Sequence, residues 1–415
     1  MSFYSGGEIK TEYVDPVIDV SNNRTEFRLN NYEAVLSNMR LGGVGLTGVQ
    51  GKYNSILGSY GTIKNIKLMN GQTELSSCRN ANLWLGFKNM INPNSVNESV
   101  GQRVKTNGLG FYIKGDTNTM GEKRLASNDN IDTTTDTTQQ GHLDLRIILP
   151  LLNSVQSLNN TLFPQLKIVI EWEQDRRKMT TNDTNDYTTI TPILIVDVIQ
   201  DEGVKNNSMA SFPSSTIWSE IEHDEFIIPS VGVSATATKL EQSSSFKVNG
   251  FNNKSLGRLV MMKQDANPAN LVDSGTGNVI GFGNVGSLAQ NQEVINWVVN
   301  GRNLLSGEGL SSNSQRLAML CDTWGSVNLI PNGNVNGGRN NAFVSDGVNR
   351  CGQLDYSGIY VDENINDLQL NYKRTGIYNT AGAQIQNNNS LRVHIFGEVS
   401  KVLNVKNGEF NIAYV

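Results

Sequence analysis

Polar and apolar residues alternate by twos along much of this chain. RTEFRL (24–29) sets Thr25, Phe27 and Leu29 against Arg24, Glu26 and Arg28. LKIVIEW (166–172) places Leu166, Ile168, Ile170 and Trp172 on one face, and LQLNYK (368–373) and LRVHIFG (391–397) follow the same rule. Successive side chains of a strand point to opposite faces, so each stretch predicts a strand with one packed face and one wet or polar-covered face. PILIVDVI (192–199) breaks the rule, being apolar at nearly every position from Ile193 to Val196. It predicts a strand buried on both faces, central in a sheet that other layers cover. The chain closes on KVLNVKNGEFNIAYV (401–415), two alternating runs about Asn407-Gly408. Asn-Gly suits a two-residue type I′ turn, in which both residues take positive φ, so a terminal hairpin is predicted.

Helical spacing is rare. NANLWLGFKNMI (80–91) places Trp84, Phe87, Lys88 and Ile91 on one face, with Asn80 the candidate N-cap. SSNSQRLAMLCDTWG (311–325) does so with Leu317, Leu320, Cys321 and Trp324, and Gly325 can close it. Turn dipeptides recur at Asn70-Gly71, Asn249-Gly250, Asn300-Gly301 and Asn407-Gly408. Many strands, regular turns and one short helix per half predict an all-β chain of two β-sandwich domains in series. The boundary falls near MASFPSSTIWSEIEHDEFIIP (209–229), where a Ser/Pro-rich connector enters a new strand. The division is an N-terminal segment at 1–20, a first sandwich at 21–215 and a second at 216–415. Polar stretches at 125–141, 180–189 and 328–349 cannot bury much and are expected to be exposed loops. No sequence repeat links the halves.

Composition narrows the function classes. The 415 residues carry a net charge of −5, and only 18% are charged, while Asn is about one residue in eight. An acidic chain without an Arg-rich arm is not built to wrap nucleic acid, and no sequence-specific nucleic-acid partner is expected. Arg176-Arg177-Lys178 reads as a solvated loop. MSFYSGGEIKTEY has neither a basic nor an apolar leader region, so no secretory signal is expected. The longest apolar blocks, such as LRIILPLL, are far short of the ~18–20 residues of a membrane span. Cys78, Cys321 and Cys351 lie far apart and read as reduced thiols of an intracellular product.

Chemical motifs fail when tested in context. GFGNVG (281–286) is a literal GxGxxG, yet the polar DSGTGNVI precedes it and no βαβ pattern follows. GGVGLTGVQGKY (42–53) misses the phosphate loop, with Leu46 where its first glycine should stand and Tyr53 in place of Ser/Thr. His142, His223 and His394 read as isolated, without a carboxylate partner, and His394 as a surface residue of a polar strand face. Asp129, Asp132 and Asp136 lack a calcium-loop frame. Glu171 and Glu173 share a strand face, as glycosidase carboxylates could, but read as solvated. Sequons at Asn23, Asn97, Asn182, Asn206, Asn253 and Asn388 follow from composition. No catalytic, cofactor-binding or metal residue is assigned, no cofactor is implied, and the chain does not read as an enzyme.

Several stretches, in order, resemble one family. They are RTEFRL, GTIKNIKLMNGQTEL (61–75) leading into ANLWLGFKN, LDLRIILPLLNSVQSLNNTLFPQLKIVIEW (143–172), TPILIVDVIQDEG (191–203), IEHDEFIIP (221–229) and the closing FGEVSKVLNVKNGEFNIAYV. Together they are similar to the double jelly-roll major capsid proteins of the polinton-like virus and virophage group, an architecture shared with adenoviruses and tailless icosahedral phages. The resemblance implies two eight-stranded jelly rolls per chain and three chains in a pseudo-hexagonal capsomer. It also implies a place in the virion shell, beside neighbouring capsomers, penton and minor capsid proteins. By the same resemblance, residues 1–20 would face the interior or tie neighbouring subunits, and the short polar loops suggest a low capsomer. Two other readings remain open from the residues: a receptor- or carbohydrate-binding viral surface β protein, with Trp218, Trp297 and Trp324 near polar loops, and an enzyme on a β scaffold.

Overall fold

The computed structural model describes residues 9–20, 23–42, 46–47, 61–90, 142–174, 188–189, 192–230, 239–266, 293–305, 309–311, 313–325, 356–377, 390–406 and 408–415. In chain order the first strands are β1 (Ile9–Val14), β2 (Ile18–Val20), β3 (Arg24–Arg28), β4 (Ala34–Leu36), β5 (Arg40–Gly42), β6 (Leu46–Thr47), β7 (Ile63–Asn70) and β8 (Thr73–Arg79). Helix α1 (Ala81–Met90) follows, then β9 (Leu143–Asp144), the single turn α2 (Leu151–Ser154), β10 (Ser157–Asn159), β11 (Leu166–Trp172), β12 (Thr188–Thr189) and β13 (Ile193–Ile199). Helix α3 (Glu202–Ala210) leads into β14 (Ser215–Ile228), β15 (Lys239–Lys247), β16 (Lys254–Asp265), β17 (Glu293–Val299) and β18 (Arg302–Asn303). After helix α4 (Asn313–Trp324) come β19 (Tyr356–Ile365), β20 (Leu368–Ile377), β21 (Leu391–Lys406) and β22 (Glu409–Tyr414).

Among the described residues every ladder is antiparallel. In the second half the sheets run β14-β21-β16-β19 and β15-β20-β17-β18. Numbered one to eight in chain order, these strands alternate as 1-8-3-6 and 2-7-4-5, the order of two Greek keys wound into a jelly roll. The first half repeats it. One sheet is β1-β13, then β4 and β5 as one interrupted strand, then β10 and β9; the other is β2-β3-β11-β7-β8. Helices α1 and α4 occupy the same place in each winding, between the fifth and sixth strands. The fold is thus a tandem pair of jelly rolls, with the short ribbon β6-β12 as an addition. The repeat is topological and left no trace in sequence.

The strand patterns hold, with informative exceptions. In β3, Thr25 and Phe27 are buried as the alternation requires, but Glu26 is buried too, its carboxylate shared between Arg24 and Arg28 at 3.1 and 2.9 Å. β13 is central and buried from Leu194 onward; its one acid, Asp197, accepts from Thr11, Asn38 and Arg40 on the flanking segments. From Ile9 onward the N-terminal segment is paired within the chain, β1 along β13 and β2 along β3. The physical reason is that β13, apolar on both faces, needs a backbone partner on each edge, and β1 supplies one.

Turn chemistry is mixed. Asn300-Gly301 joins β17 to β18 with φ of 50° and 80°, as type I′ demands. Gly408 has φ of 80° in the terminal hairpin, where Lys406 faces Glu409; Asn407 lies outside the described residues. Asn249-Gly250 instead falls in a one-turn 3-10 helix. Asn80 does not cap α1 with its side chain. It has φ of 48°, its carbonyl accepts from Leu83 and Trp84, and its amide turns away toward the second half. Gly325, at φ 96°, closes α4 by donating to the Cys321 carbonyl. The side chain of Leu317 and residue Ile91 lie outside the described set.

Candidate functional site at the junction of the two jelly rolls

The largest apolar cluster is shared by the halves. It joins Trp84, Phe87, Leu152 and Phe163 of the first to Trp218, Ile221, Leu320, Trp324, Phe396 and Leu403 of the second. At its centre the two equivalent helices meet. Trp84 of α1 stands edge-on to Trp324 of α4 with ring centres 5.6 Å apart, and Phe87 meets Trp324 edge-on at 5.3 Å. Phe396 of β21 closes on Trp84 at 5.5 Å. Edge-to-face packing matches the positive ring edge to the negative face, so these contacts orient the halves as well as bury area.

Arg258 locks this group from one side. Its guanidinium lies 4.1 Å from the Trp324 ring centre, grips both Glu398 oxygens at 2.7 and 3.0 Å, and donates to the Thr323 carbonyl. A planar fork that stacks and pairs at once is a role lysine cannot fill. Trp324 donates to the Leu259 carbonyl. A Cβ on Gly358 would stand 2.9 Å from the Trp324 ring, so this glycine lets α4 lie close on β19.

Two charged clusters lie beside the aromatics. Glu220 of β14 reaches into the first half, accepting from the Ser76 hydroxyl and the Ser77 backbone at 3.0 and 3.3 Å, and from Trp218 at 2.9 Å. Burial pushes its carboxyl up, against Lys401 at 3.6 Å and these donors. Inside the second half, Lys263 donates to both oxygens of Glu293 at 2.7 and 2.6 Å, Tyr372 donates to Glu293, and Arg316 donates to the Glu293 and Leu310 carbonyls. All four side chains are within 1% of full burial. Burial pushes the Glu293 carboxyl up, but Lys263 and Arg316 more than offset it and leave it below the ordinary range.

The histidines contradict the sequence reading. His394 is 1% exposed, and His223 and His394 touch, Nε2 to Nδ1, at 3.0 Å. Glu225 Oε2 lies 3.4 Å from His394 Nδ1, and Arg392 holds the other oxygen at 3.1 Å. The cause is the β14–β21 register, which sets Glu225 opposite His394 and His223 opposite Phe396, so all four share one face. That face is polar in β21 but covered by the first jelly roll, with the Asn80 amide 3.3 Å from the His223 ring. His-x-Glu at 223–225 on a strand was a signal available in the sequence, since i and i+2 lie on the same face. His142 stands apart and exposed.

The carboxylates Glu171 and Glu173 do not act as a pair. A register shift between Glu171 and Trp172 ends the alternation; Glu171 is exposed and accepts from Asn65, whereas Glu173 is buried and accepts from Asn82. Trp218, Trp297 and Trp324 are all buried, which removes them as a sugar platform. GFGNVG (281–286), Asp129, Asp132, Asp136, Cys351, Arg176-Arg177-Lys178 and the loops at 125–141 and 328–349 lie outside the described residues. Cys78 and Cys321 are free thiols, and no described helix is long and apolar enough to cross a membrane. A cleft beneath α3, touched by Ser157, Val204, Ser208 and Phe212, has no ionisable group among its described lining residues.

This architecture defines a class, the tandem jelly roll. Solved structures of that class align with nearly the whole chain. The PBCV-1 protein VP54, as fitted into a reconstruction of the virophage Sputnik, aligns over 99% of this chain and 97% of its own, with a TM-score of 0.60 and 11% identity. The mavirus major capsid protein aligns over 100% and 91%, with a TM-score of 0.54 and 8% identity. The Faustovirus major capsid protein aligns over 96% and 91%, at 0.54 and 7%. At such identities the likeness is one of fold. No protein-family model matches the sequence, and no curated protein sequence matches it.

Proposed function

We propose that this chain is the major capsid protein of an icosahedral virus, a structural subunit that works as a homotrimeric, pseudo-hexagonal capsomer. The observation that carries the reading is the end-to-end tandem of jelly rolls, matched over nearly its full length by the mavirus and Faustovirus proteins, both named as major capsid proteins. Three copies of two similar domains present six similar flanks, which is how a trimer fills a six-fold position. The domains divide near residue 215, with the strands from Ile9 onward belonging to the first. Trimer contacts of the obligate kind would bury roughly 2,000–5,000 Å², and contacts to neighbouring capsomers, penton and minor capsid proteins would be smaller and reversible. The chain belongs to the virion and works by shape, without catalysis or sequence-specific nucleic-acid contacts. The shared junction core supports this, because its charged groups hold strands and helices in place.

Light scattering on the purified chain, with negative-stain images of the same peak, tests the reading. A mass of about three times 45.5 kDa and a hexagonal outline are expected. A stable monomer over the micromolar range would overturn the capsomer assignment.

A further inference from the structure

Two imidazoles and a carboxylate converge on one face of β14 and β21. The ligand atoms His223 Nε2, His394 Nδ1 and a Glu225 oxygen all lie within 4.8 Å of one another. We propose that these three residues form a binding site for a zinc-class divalent ion, which staples the first strand of the second jelly roll, β14, to its eighth, β21. This goes beyond the shell reading and does not depend on it.

The geometry fits a tetrahedral ion. Zinc bonds of about 2.0–2.1 Å separate two ligand atoms by about 3.3 Å, and place two imidazole ring centres about 5.2 Å apart. Here the nitrogens are 3.0 Å apart, the carboxylate oxygen is 3.4 Å from His394 Nδ1, and the ring centres are 5.3 Å apart. The rings therefore need to turn in place, not travel. Without metal, a single proton on one of the two facing nitrogens holds the pair together. When both nitrogens ligate, that proton moves to the other nitrogen of its own ring, so neutral imidazoles bind the ion with no net proton loss. Nitrogen donors select a zinc-like ion over calcium or magnesium, which take oxygen.

The surroundings are those of a held site. His394 is fixed by burial, and Arg392 orients Glu225 through its second oxygen at 3.1 Å. The Asn80 amide approaches the His223 ring from the first half. Glu225 is exposed and His223 partly so, which leaves the fourth corner to water.

The test uses the full-length protein, stripped with chelator and titrated with zinc alone. One zinc per chain and a zinc-dependent rise in melting temperature are expected. His223→Gln should abolish the binding, and Arg392→Gln should weaken it about 10–100-fold, as loss of an orienting partner does. Should His223→Gln fail to fold, Glu225→Gln at the exposed corner takes its place, with at least about a tenfold loss expected. His142→Gln, remote from the cluster, should bind as the parent does. Absence of zinc binding would overturn the proposal. So would binding that survives both cluster substitutions or falls with His142→Gln, since either outcome marks an adventitious ion only.

Discussion

Gly397 of β21 shows how little slack the core leaves a single residue. A Cβ there would stand 2.5 Å from the Phe251 ring and 2.7 Å from a Leu256 methyl, and both neighbours are fully buried. Gly397→Ala should therefore cost ~1–3 kcal/mol in denaturant unfolding, the range for overpacking a filled core. Glu293 and Glu220 are both buried acids, yet they should behave oppositely. Glu293 is more acidic folded than unfolded, so its contribution is complete above the ordinary value of 4.5 and is lost as pH falls through the lower folded value. Glu220 is less acidic folded, so holding it ionised costs stability as pH rises above 4.5. Glu293→Gln should lose ~3–5 kcal/mol at pH 7, because the buried Lys263 and Arg316 both lose the carboxylate charge they pair with. Glu220→Gln should cost less, about 1–3 kcal/mol: Lys401 retains Glu222 at 3.8 Å, but the new amide has one acceptor oxygen for the Ser77 and Trp218 N–H donors and leaves one of them unpaired. Equal losses in urea melts at pH 7 would refute this contrast.

At the scale of elements, α1 and α4 are short helices that gain their stability from what they meet. Each was legible as an amphipathic run, because Trp84 and Phe87 in one, and Leu320 and Trp324 in the other, recur at helical spacing. Their meeting was not legible, since nothing local couples residue 84 to residue 324. Trp84→Ala and Trp324→Ala should each cost ~3–5 kcal/mol. Their double mutant should lose ~0.5–1.5 kcal/mol less than the sum, the coupling of an edge-to-face pair. Strict additivity in a double-mutant cycle would place the two rings in separate environments. The terminal hairpin shows the same division. Its alternation and turn were readable, but not its target: Phe410 packs at 5.2 Å on Phe163, carrying the last strand back to the first jelly roll.

For the whole molecule, the consequence is mechanical. Two domains in series ordinarily move against one another unless their interface is large and apolar. Here the interface is part of the main core, with Trp218, Ile221, Phe396 and Leu403 continuous with residues of the first half. Scanning calorimetry should show one cooperative transition for the chain, and two resolved transitions would mean the halves fold independently. Rigidity of this kind suits a shell subunit, whose flanks must keep fixed angles as copies accumulate.

The local pattern was enough to read the strand faces, the doubly buried β13, helices α1 and α4 and the all-β class. Those properties follow from periodicity over a few neighbouring residues, which backbone geometry converts directly into burial. What covers each face came from contacts distant along the chain. The polar face of β21 was read as wet from its alternation, but the other jelly roll lies over it. His394 is therefore buried beside His223 and Glu225, where solvent exposure had been expected. Alternation tells which residues share a face and stays silent on what covers that face. Register across β14 and β21, set over a separation of some 170 residues, is what brought His394 to His223 and Glu225 and made one cluster of them.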